Sequence, residues 1–331
     1  MLKTVLSIAL IVFIFQGCQK QVYIKNTGSI FGTSYHFTYD SPNGNNLENE
    51  ILVELNKFNK SLSTYDKNSI ISKINQDDTN IVVDKYFKYC FLKAKEIYKF
   101  TEGAFDMTVA PIVNAWGFGF DKAIVADSTI IDSLMQYVGF DKISLSGDKI
   151  KKEKPGIMLD ASAIAKGYGV DIAAELLEDK GIQNYMVEIG GEVRAKGKNE
   201  NRKYWRIGID KPIDNVYGIN RELQTVVGLK NKSLATSGNY RQYYEIDGIK
   251  YAHTINPKTG YPALSSLLSA TVLADDCITA DAFATAFMVL GKDKSIELAN
   301  KLDFIEVFFI YSDVNNKFLT YQSEKLKLTK K

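Results

Sequence analysis

Histidine is almost absent from this chain of 331 residues: only His36 and His253 occur, so a His-rich metal centre is excluded. Cysteine is nearly as scarce, and no two of Cys18, Cys90 and Cys277 have the spacing of a zinc site. Net charge is small, at a formal +2, which gives no reason to expect a polyanionic partner; no clustered basic face suggests nucleic acid. No glycine fingerprint of the dinucleotide-binding or P-loop type follows a predicted strand. Internal repeats, low-complexity tracts and obvious linkers are missing too. The one long apolar run, residues 5–15, is short for a bilayer span. What remains is a chain able to bury a substantial core, as one large domain or two closely joined halves.

That apolar run has a meaning of its own. Lys3 precedes it and Gln16-Gly17-Cys18 follows, giving a basic n-region, a short h-region and a small residue before a cysteine. The pattern reads as a secretory signal. It is similar to a bacterial lipoprotein signal, in which residues 1–17 are removed and Cys18 becomes the acylated first residue. Phe15 stands where leucine is usual, and a plain signal peptide or an N-terminal anchor helix is the alternative. Acylation would place the protein in the bacterial cell envelope, lipid-anchored and facing the periplasm. The expected organisation is a signal over 1–17, a tether over 18–29 and one domain over 30–322. Cys90 and Cys277 are expected as buried free thiols, although an exported protein could pair them.

Periodicity sketches the domain. Residues 31–39 alternate as a strand that begins at a glycine turn. Leu47, Ile51, Leu55 and Phe58 mark one helix face, and Phe87, Phe91, Ala94 and Tyr98 mark another over 85–100. Between them lies a polar loop, 61–69, carrying Tyr65. Residues 159–171 read as a strand end turning into a helix near Ser162 that stops at Gly181. Strands are expected at 185–189, 205–209, 224–229, 268–274 and 304–310, with Gly190-Gly191 as a tight turn. Strands and helices alternate irregularly, which favours an α+β class over repeated βαβ units.

Within that sketch the stretch from Asp275 to Ala286 stands out. Asp281 and Thr285 are four apart, so a helix would put a carboxylate and a hydroxyl on one face, two hard oxygens of the kind Mg²⁺ accepts. Equally, Asp281 could cap a helix and Thr285 could bond back to its own backbone. Asp275 and Asp276 read as surface acids before a helix or as support for a second metal. A helix start near Ser162 would offer N–H groups, and Lys166 an ammonium, to a phosphate. Asp160 could instead cap that start, and Lys166 could be solvated. His253 sits in a rigid Asn256-Pro257 turn region, with the pKa of a general base or a structural role.

Five motifs in order resemble the ApbE family, the FAD:protein FMN transferases. They are Ser63-Thr64-Tyr65; Gly103-Ala104-Phe105-Asp106-x-Thr108-Val109-x-Pro111; Asp160-x-x-Ala163-x-Ala165-Lys166-Gly167; His253-x-Ile255-Asn256-Pro257-x-Thr259-Gly260; and Ala280-Asp281-Ala282-x-Ala284-Thr285-Ala286. Minor matches lie at Ile189-Gly190-Gly191, Gly208-Ile209 and Thr236-Ser237-Gly238. The resemblance covers about residues 30–310. It implies a Mg²⁺-dependent enzyme that takes FAD, releases AMP and esterifies FMN to a threonine of an acceptor flavoprotein. It also implies a single large domain of two interwoven α/β subdomains, with mainly antiparallel or mixed sheets around a flavin cleft. Carried over by motif, the FAD contacts would be Phe31, Tyr65, Ala104, Phe105, Asp106, Asp160, Lys166 and Ile255. Asp281, Thr285 and the Ala163 carbonyl would be the metal ligands, and His253 the base. Ser162, Met107 and Ala110 depart from the usual residues. FAD hydrolysis to FMN and AMP, or flavin binding without turnover on a membrane-tethered protein, are the rival functions.

Overall fold

A computed structural model describes residues 22–120, 127–213, 222–239, 243–246, 249–252 and 254–329. Cys18 and His253 lie outside the described residues. The chain opens with a hairpin, β1 (Tyr23–Ile30) and β2 (Thr33–Asp40), closed by Phe31 and Gly32 at φ of +53° and +74°. Positive φ at both central residues matches the twist of a two-residue hairpin. Three helices follow: α1 (Glu48–Leu62), α2 (Ile70–Asn75) and α3 (Lys85–Phe100). Asp84 caps α3 by accepting from Phe87 N–H at 2.9 Å. Then come α4 (Ala110–Ala115), α5 (Ser128–Met135), a small hairpin of β3 (Ile143–Ser146) and β4 (Lys149–Lys152), and α6 (Ala165–Asp179).

The second half is mostly strand. It runs β5 (Tyr185–Ile189), β6 (Glu192–Lys196), β7 (Trp205–Asp210), β8 (Leu223–Leu229), β9 (Lys232–Gly238), β10 (Tyr243–Ile246), β11 (Ile249–Ala252) and β12 (Leu267–Ala274). Helices α7 (Cys277–Leu290) and α8 (Lys292–Lys301) precede β13 (Glu306–Ser312), β14 (Phe318–Gln322) and β15 (Leu328–Thr329). Eight strands form one sheet in the order β1-β2-β5-β6-β9-β12-β13-β14, antiparallel at every junction. A three-stranded layer, β15-β8-β7, packs on part of it. The α+β class is as expected, and the described pairings are antiparallel throughout.

Strand alternation decides what covers each face. Along β13, Val307 and Phe309 enter the core under the helices, whereas Phe308 and Ile310 enter a second core with Trp205, Val227 and Leu229. Such two-sided burial requires apolar residues on both faces. Each fully buried phenylalanine contributes about 1.5–3 kcal/mol by leaving water. Helix α7 is apolar almost all round because α3, α6 and the sheet enclose it. That enclosure fixes Asp281 and Thr285 in space.

Three boundaries are corrected. Residues 23–29, expected within a tether, form the edge strand β1, because they pair with β2 along its whole length. The domain also continues past residue 322, since Leu328 and Thr329 pair with Val227 and Val226 of β8. Helix α6 begins at Ala165 and not near Ser162, after a turn over the preceding residues. Cys90 and Cys277 are both buried free thiols. Among the described residues no helix is long and apolar enough to cross a membrane.

Candidate active site

Asp281 is 3% exposed, on the second turn of α7. It does not cap that helix; Asp276 does, accepting from Thr279 N–H at 3.0 Å. Asp281 Oδ2 instead accepts from Gly167 N–H at 2.8 Å, an amide in the first turn of α6 whose regular helical acceptor would be the Ala163 carbonyl. The helices meet closely at that point. A Cβ on Gly167 would lie 2.4 Å from the Cys277 carbonyl oxygen and 2.7 Å from Asp281 Cβ, so only glycine fits. Asp281 Oδ1 is left with Lys166 Nζ at 3.9 Å. Thr285 lies one turn further on, its Oγ1 3.1 Å from Ser237 Oγ of β9.

These side chains border a cavity of about 450 Å³. The loop before α4 supplies Ala104, Phe105 and Asp106; the turn into α6 supplies Asp160, Ala163 and Lys166. Asp281 and Thr285 form the floor from α7, Ile255 enters from the 254–263 turn, and Tyr65, 76% exposed, stands at the rim. Five separate stretches of sequence thus meet in one concavity. Phe31 is placed elsewhere: its ring lies edge-on to Phe58, with centroids 5.5 Å apart, and over Gly169 of α6. His253 itself is outside the described residues, but its neighbours Thr254 and Ile255 line the cavity.

The acids of the two loops are engaged with their own backbone. Asp106 Oδ1 accepts from Thr108 N–H at 2.8 Å and Thr108 Oγ1 at 2.6 Å, and Oδ2 accepts from Phe140 N–H at 3.1 Å. Burial nevertheless pushes its carboxyl up to about 6. Asp160 holds Ser162 through both N–H and hydroxyl at 2.8 and 2.9 Å, and burial raises its pKa also. Its own N–H donates to the Met107 carbonyl at 2.7 Å, so the two loops are tied together. Both acids therefore shape the cavity wall. Trp116 Nε1 donates to the Gly260 carbonyl at 2.8 Å and secures α4 to the opposite turn.

A residue that sequence reasoning passed over completes the site. Glu192, directly after the Gly190-Gly191 turn, accepts from Lys166 Nζ at 2.8 Å through Oε1 and is 5% exposed. Burial pushes its carboxyl up to about 7, opposed by Lys166 and assisted by Asp281. For Lys166, burial works toward neutrality, but the charges of Asp281 and Glu192 outweigh it and hold the ammonium above the ordinary lysine value. Ser237, inside a minor family match, is the other addition. Two carboxylates against one ammonium leave the floor with net negative charge, suited to a further cation. The donors fit a hard divalent ion that expects substrate oxygens to complete its shell: one carboxylate, one hydroxyl and a nearby carbonyl. Among the described residues no three His, Cys, Asp or Glu gather into an all-protein cage.

Comparison with known proteins identifies relatives of the whole chain. The sequence model of the ApbE family matches residues 31–309. A FAD:protein FMN transferase from Haemophilus influenzae is 42% identical over 325 residues, covering 94% of this chain and 92% of that protein. One from Escherichia coli K12 is 32% identical, covering 87% of this chain and 83% of that protein. Among solved structures, the flavin transferase ApbE from Vibrio cholerae has a TM-score of 0.83 at 35% identity, covering 92% of this chain and 98% of that one. The apo flavinyl transferase ApbE of Pseudomonas stutzeri gives a TM-score of 0.81 at 30% identity.

Proposed function

The chain belongs to the ApbE family, and from that membership we propose that it is a transferase moving FMN from FAD onto an acceptor protein. The acceptor group is a threonine hydroxyl, and AMP is the product released. The observation that carries this reading is the convergence of Asp281, Thr285 and Lys166 on one cavity floor. Asp281 and Thr285, with the Ala163 carbonyl, would hold a magnesium ion that neutralises charge on the diphosphate oxygens when bound. Lys166, kept ionised by its two carboxylates, binds the same diphosphate as a point charge. Tyr65 at the rim offers a stacking face to a flavin or adenine ring.

His253 takes the proton of the threonine hydroxyl as its oxygen bonds to phosphorus and the bond to AMP breaks. General-base assistance of this kind is worth roughly 10²–10⁴-fold. His253→Ala should slow transfer by that order while FAD binding persists; a variant that loses FAD would instead mark His253 as a binding residue. Cys18, outside the described residues, would carry the lipid that keeps the domain at an envelope membrane.

The deciding experiment incubates the protein with FAD and magnesium, with and without an acceptor, and follows AMP and the acceptor's mass. A mass gain of one FMN with AMP release dependent on acceptor is expected. AMP released equally without acceptor would favour hydrolysis, and FAD recovered intact would favour a binding protein without turnover.

A further inference from the structure

Glu192 carries an oxygen for which the protein supplies nothing. Oε1 is committed to Lys166, but Oε2 is the one buried carboxylate oxygen among the described residues without a hydrogen-bond partner. Burying an unpaired acceptor of a charged group is destabilising, so a fold retains one where something else completes it. The surroundings narrow what that is. The Gly190 backbone lies beneath Oε2, where an added Cβ would come within 3.3 Å of it. Lys166 stands on one side with Asp281 beyond it, and Glu192 is among the residues that line the cavity, so a small displacement of its carboxylate is enough to bring Oε2 to a bound group. An anion would be repelled by the carboxylate itself. A bare cation would find too few ligands, since the ammonium already lies between Glu192 and Asp281. A neutral O–H donor suits the position.

We propose that Glu192 acts in two directions: one oxygen holds the Lys166 ammonium toward the diphosphate, and the other accepts a hydrogen bond from a substrate hydroxyl beside that diphosphate. This rests on the reading of the cavity as the FAD site. The hydroxyl has two sources, the polyol chain of FAD or the acceptor residue before it attacks. Toward Lys166, Glu192 is a positioning residue; toward the hydroxyl it is a binding one.

The test uses Glu192→Gln, of the same shape but uncharged, and Glu192→Leu, which can accept nothing. Wild type and both variants are titrated with FAD and magnesium, then with an FAD analogue lacking the ribityl hydroxyls, and finally assayed for transfer to an acceptor. If FAD supplies the hydroxyl, the variants bind FAD about tenfold more weakly, and most of that difference vanishes with the analogue. If the acceptor supplies it, FAD affinity changes less than acceptor KM, which rises about tenfold. Thermal unfolding without ligand is read beside the affinities: Glu192→Leu leaves the Lys166 ammonium without its nearer partner and lowers Tm, whereas Glu192→Gln keeps a neutral acceptor there and lowers it less. A lower Tm with unaltered affinities, or variants matching wild type in both FAD affinity and acceptor KM, would overturn the proposal. An equal loss for FAD and the analogue with no change in acceptor KM would leave only the Lys166 role and overturn the hydroxyl contact. Failure of the wild type to bind FAD would be a different result, sinking the flavin reading of the cavity itself.

Discussion

Asp171 and Asp281 sit on facing helices and do the same thing in opposite directions. From α6, Asp171 accepts from Cys277 and Ile278 N–H at 2.9 and 2.8 Å, the first amides of α7. From α7, Asp281 accepts from Gly167 N–H in the first turn of α6. Each helix thereby satisfies the other's unpaired start, where a negative charge is also favoured by the helix dipole. Beyond that the two differ. Asp171 is completed by Arg194 at 2.9 Å, whose other nitrogen reaches Glu178 at 3.3 Å. Asp281 has only a lysine 3.9 Å away, and that lysine's nearer partner, Glu192, leaves an oxygen open. One cluster is closed by the protein; the other, on the function proposed above, would be closed by the metal and substrate. Burial is equal at the two acids, and their completion by the protein is not.

The contrast can be broken most sharply at Asp281. Asp281→Ala should reduce FMN transfer by two to three orders of magnitude or more, read as acceptor mass gain, because the floor loses its anionic ligand. Transfer near the wild-type rate would end the assignment of this floor to the diphosphate. Asp171→Ala should act on stability, costing about 3–5 kcal/mol in urea unfolding by stranding Arg194, while activity per folded molecule falls far less than in Asp281→Ala. Gly167→Ala should cost about 1–3 kcal/mol, since its methyl would displace the Cys277 carbonyl; the magnesium needed for half-maximal transfer should rise with it. A normal magnesium titration in Gly167→Ala would show that the helix contact does not set the site.

The smallest effect is in pH. Burial raises Asp171 to about 6, opposed by Arg194 and two helix amides, and Glu192 to about 7, opposed by Lys166 and assisted by Asp281. Both folded values lie above those of the unfolded chain, so the folded state holds extra protons. Each group's contribution to stability is therefore present at low pH and lost as pH rises through its folded value. The Tm of wild type relative to Glu192→Gln should fall between about pH 4.5 and 7, and relative to Asp171→Asn between about pH 4 and 6. Coincident curves would mean that the two clusters are equally completed after all.

The parts of this site carried by contiguous motifs were legible beforehand. Helical periodicity put Asp281 and Thr285 on one face and marked a helix start near Lys166, but it left their roles open, and the Gly103 loop gained its roles only through the family resemblance. Strands with clear alternation, such as β5 and β7, were legible from period two, and β12 as a continuous apolar run. Glu192 was not, because a hairpin following two glycines gives no local sign that its first side chain turns inward. Asp171 was hidden similarly: a single acid within a helix looks solvated until α7 is packed against it. The short helices α2, α4 and α5 were passed over, being too brief for a periodic signal. Strand β1 was taken for tether because its sequence, mostly polar at an exposed sheet edge, lacks a buried face.

That edge strand changes how the enzyme can move. From residue 18 to residue 22 the backbone can stretch roughly 14 Å at about 3.5 Å per residue. A leash running to residue 29 would have allowed nearly three times as much. With lipid on Cys18, the body would ride against the bilayer and pivot about one rim of its large sheet, and only acceptors presented close to that surface would come within range.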